Sequence, residues 1–238
     1  MSSVVLSPGM AALVLFGGFF LLLILRVPVA FALAVRDGLG GRELLTACAK
    51  GFEIQGRLLA SVDHRRESSK FHAPGVVGPF GSAVVAGHLL GLDEQQLNYA
   101  LAIAASRSGA LRANIGHGVK CTHCGNAAAA GLEAAMLAKR GLTASEDILG
   151  HVDGFVAAFF PKGIDRDLLL AYGKPFRFSD PGMAIKFYPS KYPTHFAIGA
   201  ALEVRKLIAD PALINAVNLI TPSMPDVDRP EPVSGLEG

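Results

Sequence analysis

The sequence predicts a mainly α protein in three parts: an apolar N-terminal segment, a helical domain, and the beginning of a smaller mixed helix–strand part. Three observations carry this. Residues 9–25 are a run without charge, continued after Arg26 by "VPVAFALAV". Between Arg42 and Lys139, apolar residues recur at helical spacing between capping and terminating signals. Beyond Pro161 prolines and glycines multiply, and "INAVNLITP" has the texture of a short strand. The expected boundaries are 1–36 for the apolar segment, 37–173 for the helical domain and 174–238 for the mixed part.

Composition narrows the function. The chain has 238 residues, 51% hydrophobic and 18% charged, with a net charge of +2 and a mean hydropathy of +0.40. A charge this small, with no basic run interleaved with aromatics, speaks against nucleic acid as partner. Three cysteines in a chain this long do not make a disulfide framework. The high hydropathy traces to residues 9–35, long enough as one helix to span a bilayer, with Pro28 as a tolerated kink. "MSSVVLSPG" lacks the basic leader of a secretory signal. Arg26, Arg36 and Arg42 all follow the run, which places the remainder on the cytoplasmic side of an inner-membrane anchor. "LRVPVAFALAV" resembles the first helix of the large permease subunit of TRAP-type dicarboxylate transporters, over about the first 35 residues.

The helices follow in order. From Arg42 to Val62 the apolar positions are Leu44, Leu45, Cys48, Phe52, Leu58 and Leu59. "GLDEQQLNYALAIAASRSG" starts with Asp93 as a cap and Gln96 closing a capping box; Leu97, Ala100, Leu101 and Ala104 form one face, and Gly109 terminates. Asn126 to Lys139 is almost all alanine, leucine and methionine, ending in Lys139, Arg140 and Gly141. That many alanines imply close helix–helix contact. The tail from Met224 is polar and rich in proline.

The chemistry is concentrated in "GVKCTHCGNAAAAG", residues 118–131. Cys121 and Cys124 form one C-x-x-C pair, short of the four ligands of a structural zinc site even with His117 or His123 added. A helix N-terminus favours thiolates, which keeps a redox pair open; small cysteines buried in an alanine wall are the simpler reading. Lys120 and His123 stand in a glycine-flanked loop before a helix, a place suited to a carboxylate, and a histidine there exchanges protons near neutral pH.

Two further stretches, "KFHAPGVVGPFGSAVVAGHLLGL" with His72 and "MAIKFYPSKYPTH" with Lys186, join "VKCTHCGNAAAAGLEAAMLAKRGLT" in one pattern. In order and spacing they resemble the MmgE/PrpD family, which includes 2-methylcitrate dehydratases and cis-aconitate decarboxylases. The similarity runs from about Gly41 to the end and takes in "LLGLDEQQLNYALAIAASRSGAL". It implies an all-helical domain followed by an α+β lid, homodimers, and a lyase acting on a small di- or tricarboxylate without metal or organic cofactor. By motif match, His72, Lys120, His123 and Lys186 are the expected catalytic residues, the lysines holding carboxylates and the histidines moving protons. The cysteines fall on variable positions of that motif. Family members carry a further helical stretch before the matched part and continue past Gly238, so an incomplete enzyme joined to a permease-like segment is expected. The alternatives are a membrane-tethered chain that binds carboxylates without turnover, and a family isomerase.

Overall fold

In the computed structural model the described residues are 38–62 and 70–220. They divide into two compact units, with the boundary between Pro181 and Gly182. The apolar stretch 9–35 and the tail from Met224 lie outside the described residues. Among those described, no helix is long and apolar enough to cross a membrane.

The first unit is built on α1 (Gly41–Ser61), α2 (Ala73–Leu89), α3 (Glu94–Ser106) and α4 (Thr122–Lys139), followed by short helices α5 (Phe155–Phe159) and α6 (Arg166–Leu170). α2 is the central helix. It is apolar all round, as a helix covered on several sides must be, and it buries Val76, Val77, Pro79, Phe80, Ala83 and Leu89. Leu58 of α1, Val76, Val77 and Phe80 of α2, and Phe155 and Phe160 form the main apolar cluster.

Small residues set the helix spacing. A Cβ on Gly131 of α4 would stand 2.6 Å from the Ala83 backbone nitrogen, and one on Gly78 would stand 2.8 Å from the Ala127 side chain. Ser82 Oγ donates to the Ala128 carbonyl at 2.6 Å. Contact partners therefore rise together along both chains, so α2 and α4 run parallel. α3 lies antiparallel to both: Ser108, just past its end, donates to the Val76 carbonyl at 2.8 Å, and Arg107 pairs with Glu133.

The sequence reading of α3 holds closely. Gln96 N–H donates to Asp93 Oδ1 at 2.8 Å, and Asp93 N–H donates to Gln96 Oε1 at 3.2 Å, completing the capping box. α4 starts four residues earlier than expected, because a 3₁₀ turn at Gly118–Cys121 runs directly into it. α1 differs more. Leu45 and Phe52 are exposed, whereas Ala47, Gly51, Leu58 and an ion pair, Glu53 with Arg57, are buried.

That pair is a clasp. Arg57 Nε donates to Glu53 Oε1 at 2.7 Å. The other carboxylate bonds come from the N–H groups of Gly173 at 2.8 Å and Arg177 at 2.6 Å. The guanidinium also donates to the Leu168 and Pro175 carbonyls. Burial pushes the Glu53 carboxyl up; the Gly173 N–H, Arg57 and the Arg177 N–H outweigh it and hold the group below the ordinary carboxylate range. Four bonds thus fix residues 168–177 to α1.

In the second unit, α7 (Thr194–Arg205) follows a proline-punctuated segment. The strand expected at "INAVNLITP" does not form over residues 214–220, which are irregular and exposed. A strand needs a partner ladder, and Val217, Leu219 and Ile220 have none against them. Among the described residues the second unit has no strand, and the one ladder contact, in the first unit, is an isolated bridge between Phe71 and Leu111.

Replacing Glu53 by alanine should leave Arg57 buried without its partner and cost about 3–5 kcal/mol, read from urea melts. Because the native carboxyl titrates below its unfolded value, its contribution is present above the ordinary carboxylate range. It should disappear as the pH falls through the native value, and Glu53→Gln should flatten that limb of the pH–stability curve.

Candidate active site

The amino-terminal ends of α2 and α4 meet because the two helices run parallel. His72 is the N-cap of α2, in extended conformation (φ −82°, ψ 115°). His123 is the second residue of α4 and is buried. Their rings meet with Nδ1 facing Nδ1 at 3.1 Å and centroids 5.2 Å apart. Such a contact is a hydrogen bond only if one nitrogen carries a proton and the other offers its lone pair. Which ring donates its Nδ1–H and which accepts is set by the two tautomers.

Their surroundings are cationic. Lys120 sits in the 3₁₀ turn ahead of α4, exposed. Burial above all, then His123, Lys120 and Arg112, holds His72 below the ordinary imidazole pKa. The three charges that lower it are all positive. His72 is thereby kept neutral and able to accept a proton at neutral pH.

Of the four residues singled out from sequence, the structure brings together His72, His123 and Lys120. Lys186 belongs to the second unit, exposed in the segment leading to α7. Near it, Tyr188 and Tyr192 pack against the buried His195 ring at centroid distances of 5.0 and 5.4 Å. Sequence reading passed over Arg112, which stands 40 positions from His72; only the Phe71–Leu111 pairing reveals their proximity. The cysteines require a correction. Cys121 and Cys124 are exposed rather than buried in an alanine wall, because the buried face of α4 runs through His123, Ala127, Gly131 and Ala134. Among the described residues no group of three or more His, Cys, Asp or Glu side chains is arranged to hold a metal ion.

The model of the MmgE/PrpD N-terminal domain matches residues 25–166, a span that contains His72, Lys120 and His123. The chain belongs to the MmgE/PrpD family. A human protein named cis-aconitate decarboxylase is 38% identical over 216 residues, 88% of this chain and 45% of the relative. The mouse protein of the same name is 38% identical over 205 residues, 83% of this chain and 42% of the relative. The chain thus spans less than half the length of these relatives. The MmgE/PrpD match reaches back to residue 25 and therefore covers part of the stretch that resembles a permease helix.

Nuclear magnetic resonance titration of the ring protons should place His72 below the ordinary imidazole value of about 6.5. Lys120→Met removes one of the three charges acting on it and should move it upward; an unshifted His72 in wild type would contradict the geometry.

Proposed function

We propose that this chain carries the histidine centre of a lyase acting on a small di- or tricarboxylate, of the cis-aconitate decarboxylase or 2-methylcitrate dehydratase kind. The observation that carries the reading is the His72–His123 contact at 3.1 Å, with the positive charges of Lys120 and Arg112 acting on His72.

Both reactions build negative charge on carbon beside a carboxylate. In decarboxylation the carbon–carbon bond to one carboxylate breaks, carbon dioxide leaves, and the electron pair delocalises toward a neighbouring carboxylate until a proton arrives. In dehydration a base removes a proton from carbon next to a carboxylate, and the hydroxyl departs with a proton from an acid. Each needs a proton carrier close to the carbon and fixed cations where charge accumulates. A histidine pair can accept a proton on one ring and return it from the same pair. Lys120 supplies a charge, and the amino-terminal ends of α2 and α4 add the positive poles of their helix dipoles. Lys186 is assigned to a second carboxylate by its "IKFYP" motif. The relatives named cis-aconitate decarboxylase favour decarboxylation as the first reaction to assay.

The test uses the full chain. A substrate at 100 times its dissociation constant should stabilise it by about 2.7 kcal/mol, visible as a raised thermal melt. Turnover is followed as carbon dioxide release from cis-aconitate and as loss of water from 2-methylcitrate. Lys120→Ala should lower turnover about 10²–10³-fold, the scale for losing one charge-stabilising donor. A chain whose melt ignores every polycarboxylate, or a Lys120→Ala variant as active as wild type, would sink the reading.

A further inference from the structure

One face of α1 is left without a cover among the described residues. Leu45, Cys48, Phe52 and Gln55 follow one another at three- and four-residue steps, so they form a single stripe along the helix. Leu45 is 72% exposed and Phe52 50%, the pattern of core positions without a neighbour. Beside the stripe runs a groove of about 280 Å³ between α1, α2 and α4. Its walls are mostly apolar or small: Cys48 and Phe52 from α1, Val85 from α2, and Cys124, Ala127 and Ala128 from α4. The groove reaches the histidines, since Pro74 and Cys124 on its wall lie within two positions of His72 and His123.

Residues 25–35 suit that face in length and pattern. The MmgE/PrpD match begins at residue 25, where Arg26 interrupts the apolar run, so this part of the run is counted with the helical domain. At about 1.5 Å per residue, a helix over 25–35 is about 16 Å long, and Leu45 to Gln55 of α1 spans about 15 Å. Pro28 falls in its first turn, where a proline is tolerated. On a helical wheel Val27, Phe31, Ala34 and Val35 share one side, while Arg26 and Arg36 fall on the other. Residues 36–40 lead into α1, a connection short enough to make neighbouring helices antiparallel. Gly38 turns the chain there with φ 67°, and Gly40 follows as the extended N-cap of α1.

We propose that residues 25–35 form a helix antiparallel to α1, with Phe31 opposite Leu45, and cover the groove between α1, α2 and α4. Leu45, Cys48 and Phe52 then become core positions, and Arg26 and Arg36 stay in water. Because the groove extends to Pro74 and Cys124, the same helix steadies the ends of α2 and α4 that carry His72 and His123. The apolar run is thereby divided between two tasks. Only residues 9–24 are left for a bilayer, about 24 Å as a helix against a hydrocarbon core of about 30 Å.

The test uses cysteine chemistry on the full chain. Phe31→Asp should speed alkylation of Cys48 by iodoacetamide about 10-fold or more, read by peptide mass spectrometry, because a thiol reacts according to its exposure. Cys121, which does not line the groove, should keep its rate and serves as the internal reference. An unchanged Cys48 rate overturns the proposal. In the double variant Phe31→Cys, Leu45→Cys, a short bismaleimide should join the two new thiols within one chain, with a yield that does not fall on dilution. A cross-link found only between chains assigns the groove to a second copy. No cross-link at all puts residues 25–35 elsewhere, in a bilayer if phosphatidylcholine vesicles shield them from protease. Either result overturns the proposal. If Phe31→Asp melts early, the cross-link decides by itself.

Discussion

A proline inside the central helix governs how this site is assembled. Pro79 has no N–H to give, so the Gly75 carbonyl one turn earlier is left without its helical donor. The N–H of Gly109 takes that carbonyl instead. The approach is possible only because residue 75 is glycine, since a Cβ there would stand 2.5 Å from the Gly109 carbonyl oxygen. Ala110 follows in left-handed conformation (φ 83°), turning the chain into the ladder beside His72. From this knot the backbone passes through two 3₁₀ turns into α4. The partner histidine thus arrives at His72 along a path whose first step is a defect in α2.

Small side chains do the rest. Gly78, Gly131, Ala127 and Ala134 let α2 and α4 approach closely enough to run side by side, and Ser82 fastens them through the Ala128 carbonyl. Bulk at these positions would separate the two ends that carry His72 and His123. The clasp of Glu53 and Arg57 performs a comparable task between α1 and the end of α6, holding the irregular residues 171–177 with charged hydrogen bonds.

Much of this was legible in the sequence where the signal is local. The capping box at Asp93 and Gln96 and the alanine-rich α4 both depend on residues a few positions apart; the loop expected around Lys120 and His123 is instead a 3₁₀ turn running into α4. What escaped depends on distant partners. Leu45 and Phe52 look like core residues of α1, yet the buried face is the one where Glu53 and Arg57 find carbonyls and N–H groups more than 100 positions away. The exposure of Cys121 and Cys124 follows from the face of α4 that meets α2, which composition alone does not select. Residues 214–220 have strand-like composition, but a strand exists only where a neighbour completes its ladder. Arg112 carried no motif, and its relation to His72 arises wholly from the bridge between Phe71 and Leu111.

The parallel arrangement of α2 and α4 also makes the first unit electrically lopsided. Two positive helix poles, Lys120 and Arg112 gather at one end; at the other, Lys139 reaches back to the Gly91 carbonyl beside the negative poles and partly neutralises them. An anion close to that end is drawn toward it, with salt screening most of the effect beyond about 8–10 Å. Capture then becomes a matter of guided diffusion: collisions are turned toward the histidines before any bond forms, and encounter frequency, more than residence time, is what rising ionic strength erodes.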